Sequence, residues 1–258
     1  MKAQAFREEG AMSPQPSVLV VGGTGRTGGR VVAQLLERGV AVRAIVRSAE
    51  RLPEGTSGNP LLTVVEADLL AMPGEELQHH LDGCGIVISC LGHVISARGV
   101  FGPPRDLVVR AATRLCGAVE AMHPAAPVRF ILMSSVSVNQ PEHADTRRGA
   151  LERACLSVLR GIVPPSKDNQ RAADFLAREI GTTSPCVEWV VVRPDTLLEG
   201  HVSEYRVHDQ LVNSLFAPGK STRANVAHFM CELATGRETW DAWAGRMPVV
   251  VNATGAEG

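Results

Sequence analysis

Glycines 22, 25 and 28 follow directly on the apolar run Val18-Leu19-Val20-Val21. Their spacing suits the receipt of a diphosphate. A first glycine permits the tight turn out of a strand. A second lets a pyrophosphate approach the backbone, and a third lets the following helix pack closely on the strand. The helix that starts there offers unpaired N–H donors and a partial positive charge to an anion. The whole segment Gly22-Gly23-Thr24-Gly25-Arg26-Thr27-Gly28 therefore reads as a dinucleotide-binding turn.

Some twenty residues on, where NAD sites place an acid against the ribose hydroxyls, the chain reads Val46-Arg47-Ser48. The planar fork of an arginine pairs with the oxygens of a 2′-phosphate. Arg47, with Ser48 beside it and Arg26 as a second cation, points to NADP(H) in preference to NAD(H).

Further candidates end other apolar runs. Asp68, in Ala67-Asp68-Leu69, serves either as an acceptor for the adenine amino group or as a cap on the next turn. The small residues of Cys90-Leu91-Gly92 would let a ribose lie on the backbone, and His93 is a candidate proton donor or acceptor. Ser134 and Ser135 end another run. Ser135 or Ser137 would either hydrogen-bond a substrate carbonyl or satisfy loop backbone. Pro194 fixes the chain beside the expected nicotinamide pocket.

The elements that must position these residues alternate. Strands are predicted over 18–21, 40–46, 62–66, 86–90, 128–133 and 187–192. Helices are predicted over 28–38, 107–122 and 167–180, with a short one near 75–81. This alternation predicts an α/β fold, a Rossmann-like doubly wound parallel sheet with a small C-terminal substrate-side region. Ligands then lie at the carboxyl ends of the strands.

Two stretches break the rhythm. The segment 139–166 is long for a strand-to-helix loop, holds a candidate helix over 149–160, and reads either as a lid or substrate wall or as a plain surface insertion. The segment 196–223 is polar and irregular, before a helix over 224–233 and a final apolar run over 248–251 expected as an edge strand. The chain reads as one domain over 17–258, behind a flexible tail over 1–16. Segments 139–166 and 196–258 form the substrate side.

Composition narrows the classes. A net charge of −1 gives no bulk attraction to nucleic acid. No segment reaches the roughly 18 apolar residues of a membrane span. The six cysteines form no CxxC pair and no metal-ligand spacing, which suits reduced core thiols and a cytoplasmic protein. Oligomeric state is not readable, and a small-molecule substrate is the expected partner.

On these motifs the chain resembles the short-chain dehydrogenase/reductase superfamily, and within it the atypical NmrA-like, NAD(P)H-binding branch. The glycine turn, Val46-Arg47, Ala67-Asp68-Leu69, Leu91-Gly92, Met133-Ser134-Ser135 and Val192-Arg193-Pro194 carry the resemblance. Ser221-Thr222-Arg223-Ala224-Asn225-Val226-Ala227 is similar to the family's Ser-Arg-x-Asp-Val-Ala segment, with Asn225 in the Asp place.

The departure is the proton relay. Conventional members carry Tyr-x-x-x-Lys. If Lys167 is the family lysine, Val163 stands at the tyrosine position; in the other register Gln170 replaces lysine and Ser166 tyrosine. The sole tyrosine, Tyr205, is too far along the chain unless it folds back. Ser166, after two prolines, is expected to cap the helix. Lys167 is left either to hold the ribose or to lie on the surface.

The resemblance implies an NADPH-dependent oxidoreductase acting on a small carbonyl, quinone-like or conjugated substrate, with Ser135, Lys167 and His93 as catalytic candidates. The alternative it carries is a non-catalytic dinucleotide-binding redox sensor or regulator.

Overall fold

The computed structural model describes residues 17–92, 105–140, 149, 152 and 164–253. The tail over 1–16, His93, Val163 and, apart from Gly149 and Glu152, the candidate helix over 149–160 lie outside the described residues.

Strand β1 (Ser17–Val21) is buried apart from its first residue. It is flanked in parallel by β2 (Val42–Val46) and β4 (Cys84–Ser89). With β3 (Leu62–Glu66), β5 (Val128–Met133), β6 (Val187–Pro194), β8 (Tyr205–His208) and β10 (Val249–Asn252) they make an eight-stranded sheet of order β3-β2-β1-β4-β5-β6-β10-β8. Only β8 runs antiparallel, against β10. The strand order reverses direction at β1, between β2 and β4, which opens the crevice at the carboxyl ends that such a reversal creates.

The sheet is covered on both faces, as parallel sheets require. Helix α1 (Gly28–Glu37) buries Val31, Val32, Leu35 and Leu36, a single helical stripe, on one face. It shares that face with α5 (Arg223–Thr235) and α6 (Arg237–Trp243). The other face carries α2 (Gly74–Leu81), α3 (Leu107–Met122) and α4 (Pro164–Phe175). Helix α1 stops at Gly39 (φ +73°), where the Val40 amide donates to the Leu35 carbonyl 3.0 Å away. That cap is why β2 begins at Val42 and not at residue 40.

Other expectations are corrected. The pattern over 167–180 is not one α-helix: α4 passes into a π-helical turn, Leu176–Ile180, closed by the Gly181 amide on the Leu176 carbonyl at 3.0 Å. Ser166 is not the cap, because the helix already begins at Pro164; prolines fit a first turn, whose N–H groups have no partner to lose.

The irregular segment over 196–223 contains three short strands. Strands β7 (Thr196–Leu198) and β9 (Lys220–Thr222) pair in parallel as a separate ribbon, and β8 lies against β10. The final apolar run is therefore an interior strand and β8 is the edge.

Buried polar residues tie this C-terminal region down. Arg193, fully buried in β6, donates from Nε to the Met247 carbonyl (2.7 Å) and from Nη1 to the Val138 carbonyl (3.2 Å). Asn225 accepts at Oδ1 from the Ser203 amide (2.8 Å) and donates from Nδ2 to Asn252 Oδ1 (2.9 Å). A carboxylate at residue 225 would set two acceptors against each other there, which accounts for the amide in place of the family's Asp.

Candidate functional site

At the carboxyl end of β1 the chain turns at Gly22 with φ +78°. A Cβ there would lie 2.6 Å from the Cys90 carbonyl carbon and 2.8 Å from the Leu91 amide nitrogen. A Cβ on Gly28 would overlap the Gly22 carbonyl oxygen. The turn therefore nests against the end of β4, and only glycine fits at those two positions. The Gly25 amide donates to the Gly22 carbonyl (3.0 Å), and Gly25 itself is exposed. Thr24 is half-buried and Thr27 is buried, ending the turn where α1 begins. Cys90 is buried, its thiol pushed well above its usual range by desolvation. Leu91 is half-buried and Gly92 exposed, with none of the described residues near the place of its absent side chain.

Arg47 is exposed at the end of β2 and Ser48 half-buried beside it. Asp68 Oδ1 accepts the Leu70 amide at 2.9 Å, so its side chain caps the turn after β3. Leu69 packs into the core. Ser134 and Ser89, at the ends of β5 and β4, have buried hydroxyls without a hydrogen-bond partner among the described residues. An open glycine turn, a helix N-terminus and unpartnered hydroxyls along one sheet edge fit a dinucleotide laid across it.

Farther along the same edge is a cavity of about 350 Å³. Ser135 and Ser137 line it from the chain just after β5, and Pro194 and Asp195 from the end of β6. Leu211, Asn213 and Leu215 close it from the loop between β8 and β9. The Ser135 and Ser137 hydroxyls lie 2.6 Å apart. Asp195 is used structurally: Oδ1 accepts the Thr196 amide (2.8 Å) and Oδ2 the Gly219 amide (2.9 Å). From the 139–166 segment the buried Glu152 reaches the same loop, accepting the Leu215 amide at 2.8 Å and the Ser214 hydroxyl. A larger cavity, about 690 Å³, lies between 181–183, Trp189 and Arg246, away from the glycine turn.

Helix α4 carries Lys167 and no tyrosine. Lys167 is exposed. Asp168, buried, accepts the Val108 and Val109 amides at 2.8 and 3.0 Å, capping α3. Tyr205 does not fold back. Its hydroxyl pairs with His228 Nδ1 at 2.9 Å, its ring meets Phe229, and burial pushes its pKa up to about 12.

The sequence reading missed Glu199. Its Oε2 receives Arg30 Nη2 at 2.7 Å, and its Oε1 receives Arg223 Nη1 at 2.8 Å and pairs with Arg26. Arg26 and Arg30 sit one helical turn apart. Two cations on one face call for a counter-charge, and that was the available signal.

The profile of a family described as NAD(P)H-binding matches residues 22–236. The chain belongs to that NAD(P)H-binding family. It is similar to an uncharacterised chloroplastic protein of Arabidopsis thaliana, 34% identical over 125 residues, covering 47% of this chain and 42% of that protein. The chain thus matches less than half the length of that relative.

Among solved structures it is similar to an oxidoreductase from Lactococcus lactis (22% identity, TM-score 0.66, covering 92% of this chain and 91% of that one). It is also similar to an anaerobillin reductase from Escherichia coli O157:H7 (17% identity, TM-score 0.63, covering 94% and 100%). These likenesses establish the Rossmann-like fold. No helix among the described residues is long and apolar enough to cross a membrane.

Proposed function

We propose that this protein is an NADP(H)-dependent oxidoreductase that reduces a small carbonyl, quinone-like or conjugated substrate without a Tyr-x-x-x-Lys relay. The observation that carries the reading is the position of the Ser135–Ser137 cavity. It opens at the ends of β5 and β6, on the sheet edge that carries the glycine turn. Strands lie about 4.8 Å apart, so β5 is roughly 10 Å from β1. That is the reach of a nicotinamide from a diphosphate held at the turn.

A bound NADPH would supply the hydride. Gly22, Gly25 and Gly28 hold the diphosphate, Arg47 and Ser48 the 2′-phosphate, and Ser134 with 90–92 the nicotinamide half. Ser135 donates its one O–H to the substrate oxygen, so Ser137 is the donor in the pair and orients it through Ser135 Oγ. A carbonyl or quinone polarised in this way takes its proton from solvent. The apolar lining at Val136, Pro194, Leu211 and Leu215 suits a flat, weakly polar substrate. The chain's partner on this reading is a small molecule, and its five described cysteines, all free, suit a reducing, cytoplasmic compartment.

The test is NADPH oxidation followed by absorbance over a panel of quinones, flavins, tetrapyrroles and carbonyls. Turnover of at least one class is expected, and Ser135→Ala is expected to lower kcat/KM for it by roughly ten-fold, the loss of a hydrogen bond to developing charge. Tight NADPH binding with no oxidation across the panel would contradict catalysis and favour a dinucleotide sensor.

A further inference from the structure

Three guanidinium groups converge on the Glu199 carboxylate, and they come from three places. Arg26 belongs to the glycine turn, Arg30 to the first turns of α1, and Arg223 to the start of α5. Arg30 also donates to the Arg26 backbone carbonyl, which ties the start of α1 to the glycine turn and leaves the Arg26 side chain unrestrained by that bond. Glu199 follows β7, on the ribbon that β7 and β9 form beside the main sheet.

The cluster has three cations and one anion. Burial, and next the neighbouring charge of Arg26, hold the Arg223 guanidinium below its usual value even with Glu199 beside it. The three arginines are unequally committed. The Arg223 side chain is only 10% exposed and also reaches the Leu197 carbonyl, whereas Arg26 is 68% exposed. Arg26 is thus the member free to leave, and it is the member that belongs to the phosphate turn.

We infer that Glu199 is an internal competitor for the dinucleotide's diphosphate, holding Arg26 until the diphosphate takes it. This rests on the reading of the glycine turn as a cofactor site. The geometry permits the exchange without unfolding anything. Arg30 and Arg223 keep Glu199 in place while Arg26 swings to the new anion, and the excess positive charge of the cluster falls toward neutrality. Glu199 then sets affinity as well as position: its charge opposes the incoming diphosphate, and its departure from Arg26 is part of the cost of binding. This gives Arg26, expected from the sequence as a second cation for the 2′-phosphate, to the diphosphate instead; because diphosphate is common to both dinucleotides, Glu199 then acts equally on NADPH and NADH, unlike Arg47.

The experiment is calorimetric titration of wild type, Glu199→Gln and Arg26→Gln/Glu199→Gln with NADPH, NADH and inorganic diphosphate, at low and high salt. Thermal melts of each variant confirm the fold. Glu199→Gln is expected to bind all three probes tighter by roughly five-fold, the factor given by about 1 kcal/mol of relieved repulsion. The gain is expected to shrink at high salt and to disappear when Arg26 is also replaced. Unchanged or weaker binding of diphosphate by a folded Glu199→Gln protein would overturn the inference and make Glu199 a brace. Equal wild-type affinity for NADPH and NADH would instead overturn the 2′-phosphate reading and leave the Glu199 inference standing on the diphosphate arm.

Discussion

Gln170 grips Asn139 by both of its backbone groups: the Asn139 amide donates to Gln170 Oε1 at 2.9 Å, and Gln170 Nε2 donates to the Asn139 carbonyl at 3.1 Å. Asp174 holds the same amide group from one turn farther along α4, accepting from Nε2 at 3.0 Å. In one register Gln170 stands where the wider superfamily has its lysine. Here the position fastens the chain leaving β5, which carries Ser134, Ser135 and Ser137, to α4.

A lysine cannot do this, because an ammonium has donors and no acceptor for the Asn139 N–H. Gln170→Lys is therefore expected to destabilise the fold and not to restore a relay. Gln170→Ala is expected to cost about 1–3 kcal/mol through the loss of both hydrogen bonds to Asn139. Urea midpoints at constant m-value measure both. A midpoint for Gln170→Lys equal to wild type would contradict this role.

Gly28→Ala tests the nesting of the turn. The added methyl meets the Gly22 carbonyl oxygen and comes within 3.0 Å of Cys90 Cβ. Overpacking of this kind costs about 1–3 kcal/mol or more, and relief by shifting the turn misplaces the diphosphate site. A lower melting temperature together with loss of dinucleotide binding is expected. Gly83→Ala, at φ +74° but with open space around it, is expected to show strain alone and unchanged binding.

What could be read in the chain, and what could not, follows from which interactions are local. Gly22 and Gly28 were legible because a positive φ and a backbone contact admit one residue type. The alternation of strands and helices was legible because each buries a face with its own period. Strand β8 was not, since four residues whose partner, Val249–Asn252, lies more than forty positions away carry no local signal. Glu199 was hidden for the same reason, being 169 residues from Arg30. Asp68 was readable as an adenine acceptor or a cap, and one of its two carboxylate oxygens, Oδ1, accepts the Leu70 amide as a cap. Gln170 stood at the lysine place of a catalytic helix in one register, and its contacts, like those of Asp168, show it fastening α4 to its neighbours.

The sole tyrosine offers a pH test free of overlap. Its hydroxyl pairs with His228, whose imidazole is also near Glu232 (3.7 Å), itself bound to Arg38 at 2.8 Å. Burial raises Tyr205 from its usual 10 to about 12. Between those values the unfolded chain releases the phenolic proton first, so stability falls as pH rises through the window. Burial, then the charge of Arg38, lowers His228 below its usual 6.5. There the unfolded chain gains a proton first, so stability falls as pH drops below about 6.5. Phenolate absorbance against pH is expected to give one transition near 12, and Tyr205→Phe to flatten the alkaline limb of the melting profile. A transition near 10 would place the tyrosine in solvent.

The central claim is a cofactor site tuned to the 2′-phosphate by Arg47, and calorimetric comparison of NADPH with NADH on wild type and Arg47→Glu tests it most directly. A charge-assisted hydrogen bond contributes about 1.5–3 kcal/mol, so NADPH is expected to bind wild type roughly ten- to one-hundred-fold tighter than NADH. Arg47→Glu is expected to remove that preference while leaving NADH nearly unchanged. Equal affinities in wild type, or an equal loss of both dinucleotides in the variant, would contradict the account.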